Sequence, residues 1–168
     1  VQSAEHVADS SSTATASYTI SLLRAEPSLA AFTSLSNETA SSSPVPSSFA
    51  SVGVAGVTIS NVAAINSAIA GLPATSVDTV AELQAVVDAY VSILAQSGGA
   101  SPAQPPTAAD FAAIGATAAA TFTSNQIGFL NSLIQAQSST DVSSVEQIKL
   151  MASAVANIYQ IAAGGSQS

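Results

Sequence analysis

Apolar residues recur every three or four positions along most of the chain beyond residue 46. The clearest stripes are Val80/Leu83/Val87/Tyr90/Leu94 and Val145/Ile148/Ala152/Val155/Tyr159. That spacing puts each set on one face of a helix about four turns long. Each stripe is preceded by a capping box. In Thr79-Val80-Ala81-Glu82 and Ser144-Val145-Glu146-Gln147 a hydroxyl accepts from a backbone N–H, and the Glu or Gln reaches back to the cap. Gly98-Gly99 and Gly164-Gly165 end the two helices. A second pair of helices is predicted to start near Ser60 and Ser124, with apolar faces Val62/Ile65/Ile69 and Ile127/Leu130/Ile134; Pro73 closes the first of them. A third, short pair opens at Pro46-Ser47-Ser48 and Pro106-Thr107. It carries Phe49/Val52 and Phe111/Ile114, and it stops at Gly53 and Gly115.

These pairs are two copies of one pattern. Phe49, Ala50 and Gly53 fall on Phe111, Ala112 and Gly115, with Val52 on Ile114. After a three-residue insertion in the second copy, Ile65-Asn66-Ser67-Ala68-Ile69 aligns with Leu130-Asn131-Ser132-Leu133-Ile134. The same register then places Val77, Val80, Leu83, Val86, Tyr90 and Ile93 on Val142, Val145, Ile148, Met151, Val155 and Ile158. A unit of about 50–60 residues that occurs twice is the signature of a repeat architecture. The predicted fold is therefore all-α: tandem small three-helix bundles with short Gly/Ser/Pro-rich connectors. The expected divisions are an N-terminal segment (1–45), a first module (46–99) and a second module (100–168). The expected core is Phe49, Val52, Ile65, Ile69, Val80, Leu83, Val87, Tyr90, Leu94, Phe111, Ile114, Leu130, Ile134, Val145, Ile148, Val155 and Tyr159. Ser97–Pro106 and Thr39–Pro46 read as linkers or tight connectors.

Two stretches resist the pattern. Val52–Ile59 alternates apolar and small residues as a strand does, but nothing like it recurs in the second copy, and a loop is expected. Before residue 46, Tyr18, Leu22 and Ala25 sit at helical spacing, and Pro27–Leu35 resembles Pro106–Ile114. This segment reads either as a degenerate repeat or as two short capping helices, with residues 1–12 frayed or extended.

Composition narrows the partners. Charged residues make up only 7% of the chain, ten acids against two bases, Arg24 and Lys149. A net charge of −8 disfavours nucleic acid and anionic membranes, which require Lys and Arg. With so few ions, solubility falls to Ser, Thr, Asn and Gln. There is no cysteine, hence no disulfide framework. The scarcity of lysine favours an extracellular setting. No stretch approaches the ~20 apolar residues of a membrane helix. Val1 in place of a start methionine suggests a processed or excised N-terminus.

Candidate chemistry is sparse, and the chain is expected not to be an enzyme. The single histidine, His6, lies between Glu5 and Asp9 at helical spacing for a metal, but in a polar segment without a predicted scaffold; it is expected to be solvated. Asp78, Asp110 and Asp141 stand near helix starts, where carboxylates complement the dipole, and Glu82, Asp88 and Glu146 are scattered. No calcium loop is present, and Gly53-Val54-Ala55-Gly56 lacks the Lys-Ser/Thr of a phosphate loop. Asn37-Glu38-Thr39 has the form of a glycosylation sequon. Tyr90 and Tyr159 read as core residues with their hydroxyls at the rim. No metal, cofactor or catalytic residue is expected.

The runs Pro106-Thr107-Ala108-Ala109-Asp110-Phe111-Ala112-Ala113-Ile114-Gly115 and Thr79-Val80-Ala81-Glu82-Leu83-Gln84-Ala85-Val86-Val87-Asp88-Ala89-Tyr90 resemble tandem Ala-rich helical repeat modules of giant bacterial surface proteins, adhesin-like in kind. The likeness covers about residues 46–163; residues 1–45 depart from it. It implies a secreted or surface-anchored stalk, adhesin or matrix component, with neighbouring modules, identical subunits, or a surface or protein ligand as partners. Two other readings remain open: a self-assembling subunit of an extracellular filament, sheath or silk-like fibre, and a small helical module that binds an apolar ligand or host protein.

Overall fold

The computed structural model describes residues 29–37 and 42–164. Among these residues helices predominate and there is no strand. The helices are α1 (Ala30–Ser36), α2 (Pro46–Ser51), α3 (Val62–Ala70), α4 (Val80–Gln96), α5 (Ala108–Ala113), α6 (Ser124–Gln135) and α7 (Val145–Ala162); 3-10 turns lie at Ala74–Ser76 and Thr117–Thr121.

The helix starts follow from side-chain caps. Thr79 Oγ1 accepts from the Glu82 N–H at 3.2 Å, while a Glu82 carboxylate oxygen accepts from the Thr79 N–H at 3.0 Å. Ser144 and Gln147 repeat this reciprocal pair at α7, and Thr107 and Asp110 repeat it at α5. A fourth box, Thr123 with Gln126, opens α6. At α2 the hydroxyl works from inside the helix: the Val45 N–H donates to Ser48 Oγ at 3.3 Å. Helix α3 begins at Val62, two residues beyond Ser60, because Asn61 Oδ1 accepts from the Thr58 N–H and its Nδ2 donates to the Gly56 carbonyl, holding that stretch in a turn.

The aligned segments share local geometry in detail. After each short first helix the chain reverses on a glycine with positive φ, +88° at Gly53 and +85° at Gly115, where a side chain would be strained. The following amide then donates back to the phenylalanine carbonyl: Val54 to Phe49 at 3.0 Å, and Ala116 to Phe111 at 2.9 Å. Two buried asparagines, Asn66 and Asn131, pin the approach to each first helix. Their Nδ2 atoms donate to the buried carbonyls of Pro44 (2.7 Å) and Pro106 (2.8 Å). A backbone carbonyl removed from water needs such a partner. The copies differ at the insertion. Residues 52–61 form a loop clasped by Gln84, which accepts from the Ala55 N–H and donates to its carbonyl; the second copy has the 3-10 turn instead. The alternation in Val52–Ile59 is therefore loop, with Val54 buried and Ile59 in solvent.

The two copies share one core. A single contiguous cluster runs from Phe32 and Phe49 through Ile65, Leu83, Tyr90 and Phe111 to Leu130, Ile148 and Val155. Most of the expected core residues are fully buried; Val52, Leu94 and Tyr159 are partly buried and packed against the cluster. Val80 departs from expectation at 38% exposure. Val145, likewise the first residue of its helix, is 3% exposed, so the difference lies in what packs over each helix start and not in the position along the helix.

Candidate interaction site: the seam between the copies and its uncovered equivalent

Helix α4 belongs to both copies at once. It packs on α3 of its own copy and on α5 and α6 of the next. Tyr90, fully buried, donates its hydroxyl to the Val142 carbonyl at 3.1 Å, and burial holds its phenol well above the usual range, so it stays protonated. Gln96 Nε2 donates to the Asn131 carbonyl on α6 at 3.3 Å. The expected connector beyond α4 is fastened rather than loose. Gly98 and Gly99, both at positive φ, turn their amides onto the carbonyls of Gln137 (2.7 Å) and Gln135 (2.8 Å). Gln135 Nε2 donates in return to Ala100 O and Ser101 Oγ. Elsewhere along the seam, the Val145 N–H donates to Ser67 Oγ at 3.0 Å, and Gly115 stands over Leu72 so closely that an added Cβ would lie 3.4 Å from its Cδ2.

The arc of α4 that ends at Gln96, the residue bonded to Asn131, comprises Val86 (3% exposed), Ala89 (2%), Ile93 (0%) and Gln96 (6%). Continued along α7, the same register gives Met151, Ala154, Ile158 and Ile161. Here Ile158 is 49% and Ile161 55% exposed, Ala154 is exposed and Met151 half-buried. Leu150, at 71%, borders the same face. A sequence stripe is thus built into α7 and left without a covering element among the described residues.

At the other end, α1 lies on the first copy. It packs on α3 and on Ala74–Ser76, and its Phe32 ring meets Phe49 at 4.7 Å between centroids. But α1 has 7 residues where α4 has 17. Beside it an open groove of about 520 Å³ remains, lined mainly by Leu35, Pro44, Val45, Val62 and Ala70. In the second copy the corresponding helix end, at Gln135, is held by the Ser97–Ser101 turn.

Three buried amide oxygens, Asn66 Oδ1, Gln96 Oε1 and Asn131 Oδ1, have no hydrogen-bond partner among the described residues. His6, Glu5, Asp9 and Arg24 lie outside the described residues, as do Glu38 and Thr39 of the sequon. Among the described residues no three His, Cys, Asp or Glu side chains gather where they could hold a metal ion, and no helix is long and apolar enough to cross a membrane. Asp78 and Glu82 are neighbours at the surface. Glu82 is held below the ordinary carboxylate range, chiefly by its hydrogen bond to Thr79, and Asp78 is raised, chiefly by sharing a hydrogen bond with Glu82. Glu82 therefore serves the cap. Asp110 does the same at α5, Asp88 accepts from Gln84, and Asp141 accepts from Ser138. Glu146 pairs with Lys149 at 2.7 Å on the surface, where such a pair is worth little. A second groove, between α3, α4 and residues 139–143, is lined by Ser60, Asn61, Ala64, Leu94 and Thr140 and contains no carboxylate.

Sequence reasoning missed the Thr123–Gln126 box, legible as Thr-x-x-Gln ahead of an apolar run. It also missed the two asparagines, which sit in aligned positions without betraying their proline partners. No protein-family model, no curated protein and no solved structure matches the chain.

Proposed function

We propose that this chain is a structural protein of the cell exterior, built as an array of like helical units and serving in a stalk, adhesin or matrix. The observation that carries the reading is the shared helix α4, buried by both copies at once. Units joined in this way couple their cores. Rigidity then passes along the array, as in repeat proteins whose stability is a sum of unit and interface contributions. Each unit comprises a short helix, a medium helix and a long one, in the tandem three-helix arrangement that the aligned segments describe. The acidic surface, poor in ions and rich in hydroxyls and amides, suits a protein that stays hydrated without binding polyanions. Adhesion to a surface or a host protein is the partner relation that fits such an array.

Two measurements test this reading. Antibody raised against the purified chain is expected to label intact source cells or their surroundings; labelling confined to lysed cells removes the extracellular assignment. In the purified chain, Ala89→Glu at the seam is expected to lower hydrogen-exchange protection in both α3 and α6. Loss confined to one copy means the units are independent, and the array reading fails.

The self-assembling filament is a second reading. It is favoured by one observation, the uncovered apolar face of α7.

A further inference from the structure

The stripe on α7 and the groove beside α1 are the two halves of one interface that the molecule already contains once. In α4 the residues at the register of Met151, Ala154, Ile158 and Ile161 are buried, in a helix that packs on the opening and second helices of the next unit and whose Gln96 reaches Asn131. The first copy presents that same pair of helices, α2 and α3, incompletely covered by the short α1. Exposed Val45, at 53%, and half-buried Leu35 and Val62 give the groove an apolar floor and rim. Neither the stripe nor the groove lining contains a charged side chain.

We infer that the outer face of α7 docks onto the first copy of a second molecule of this chain, in the open groove beside α1, and so extends the pattern of the α4 seam between molecules. The proposal rests on the array reading and goes beyond it by naming the partner and both faces. The two faces differ, so the contact is heterologous, head to tail. Such a contact adds subunits in an open line instead of closing into a symmetric pair. The occupant is a second copy because the first copy carries the aligned fold of the unit that covers α4. The chain's net charge of −8 opposes association at long range, and salt screens that repulsion. Association through these uncharged faces is therefore expected to tighten as sodium chloride rises, the reverse of a salt-bridged contact.

The test uses the full chain in sedimentation velocity and negative-stain microscopy over a range of concentration. The unaltered chain is expected to form species longer than a dimer as concentration rises. The double variant Ile158→Glu/Ile161→Glu removes the α7 face, and Val45→Arg obstructs the groove. Each is expected to keep the far-ultraviolet circular dichroism of the parent, since all three residues are exposed, and each alone is expected to weaken association at least about tenfold. Mixed one to one, the two variants retain one sound face apiece and should form a heterodimer that grows no further. Persistent monomer in the unaltered chain, undiminished association of either variant, or a mixture that stays monomeric overturns the proposal. A dimer abolished by the α7 variant but untouched by Val45→Arg indicates an α7–α7 pair and likewise overturns it. Such a failure leaves the exchange protection of α3 and α6 unchanged, so it is distinguishable from failure of the array reading.

Discussion

Helix α4 and helix α7 start from the same kind of capping box, run for 17 and 18 residues, and carry the same inner stripe. They differ in the next arc round the helix. In α4, which packs on α5 and α6, that arc is buried, and at its end stands Gln96, whose amide reaches the Asn131 carbonyl. In α7 the same arc is apolar and exposed, and isoleucine stands where Gln96 does. The contrast teaches that an amphipathic stripe sets only the face a helix turns to its own unit. Whether the neighbouring arc is core or surface depends on what packs there, and the same local pattern supports both outcomes.

The comparison breaks most visibly at its paired isoleucines. Ile93→Ala, in the seam, is expected to cost about 2–5 kcal/mol of unfolding free energy. Ile158→Ala, at the same register, is expected to cost no more than about 0.5 kcal/mol in the monomer. Urea unfolding at low protein concentration checks both, and near-equal losses would erase the distinction between the two helices. A smaller contrast is expected between tyrosines. Tyr90→Phe leaves the buried Val142 carbonyl without its donor and is expected to cost about 1–3 kcal/mol. The exposed 3.4 Å contact from Tyr159 to the Asn125 carbonyl is expected to be worth no more than about 0.5 kcal/mol, read from Tyr159→Phe. The caps should not differ, because they are the same in both helices: Thr79→Ala and Ser144→Ala are each expected to cost about 1 kcal/mol, measured by thermal unfolding.

The smallest expected effect is electrostatic and separates the two boxes. Glu82 is an acid with a lowered pKa when folded. Its contribution is present above the ordinary value of 4.5 and is lost as pH falls through the lowered one. Asp78 is raised above 3.8, so the folded chain holds that proton more tightly, and its unfavourable contribution fades as pH falls. The two oppose one another at α4, whereas Gln147 in the α7 box does not titrate. Carboxyl titration by nuclear magnetic resonance is expected to find Glu82 below and Asp78 above their ordinary values. In Glu82→Gln, the upward displacement of Asp78 should shrink. An Asp78 pKa unchanged by that substitution would remove the coupling.

Several elements are legible in the residue order alone. The capping boxes at Thr79 and Ser144, the glycines at 53 and 115, and the apolar stripes are local signals, written within four or seven residues, and they correspond to helix starts, reversals and buried faces in the fold. Val80 misleads because it fits the stripe by spacing just as Val145 does, yet only Val145 is buried, and spacing carries no information about what packs over a helix start. The seam is not legible in this way. Periodicity assigns Val86, Ala89 and Ile93 to a helix, but it carries no information about a neighbour contributed by residues far along the chain.

The sequence by itself determined the helical character of the described residues, the alignment of two stretches of its pattern, and the chemistry of its caps. Each of these depends on interactions between residues close in sequence, or on likeness between segments that can be laid side by side. Only the tertiary structure decided that the aligned stretches share one core, that Asn66 and Asn131 hold buried proline carbonyls, and that α7 keeps an apolar face uncovered by any of the described residues. Those depend on which surfaces meet. Burial is a property of the pair of surfaces in contact, so neither partner's sequence encodes it alone.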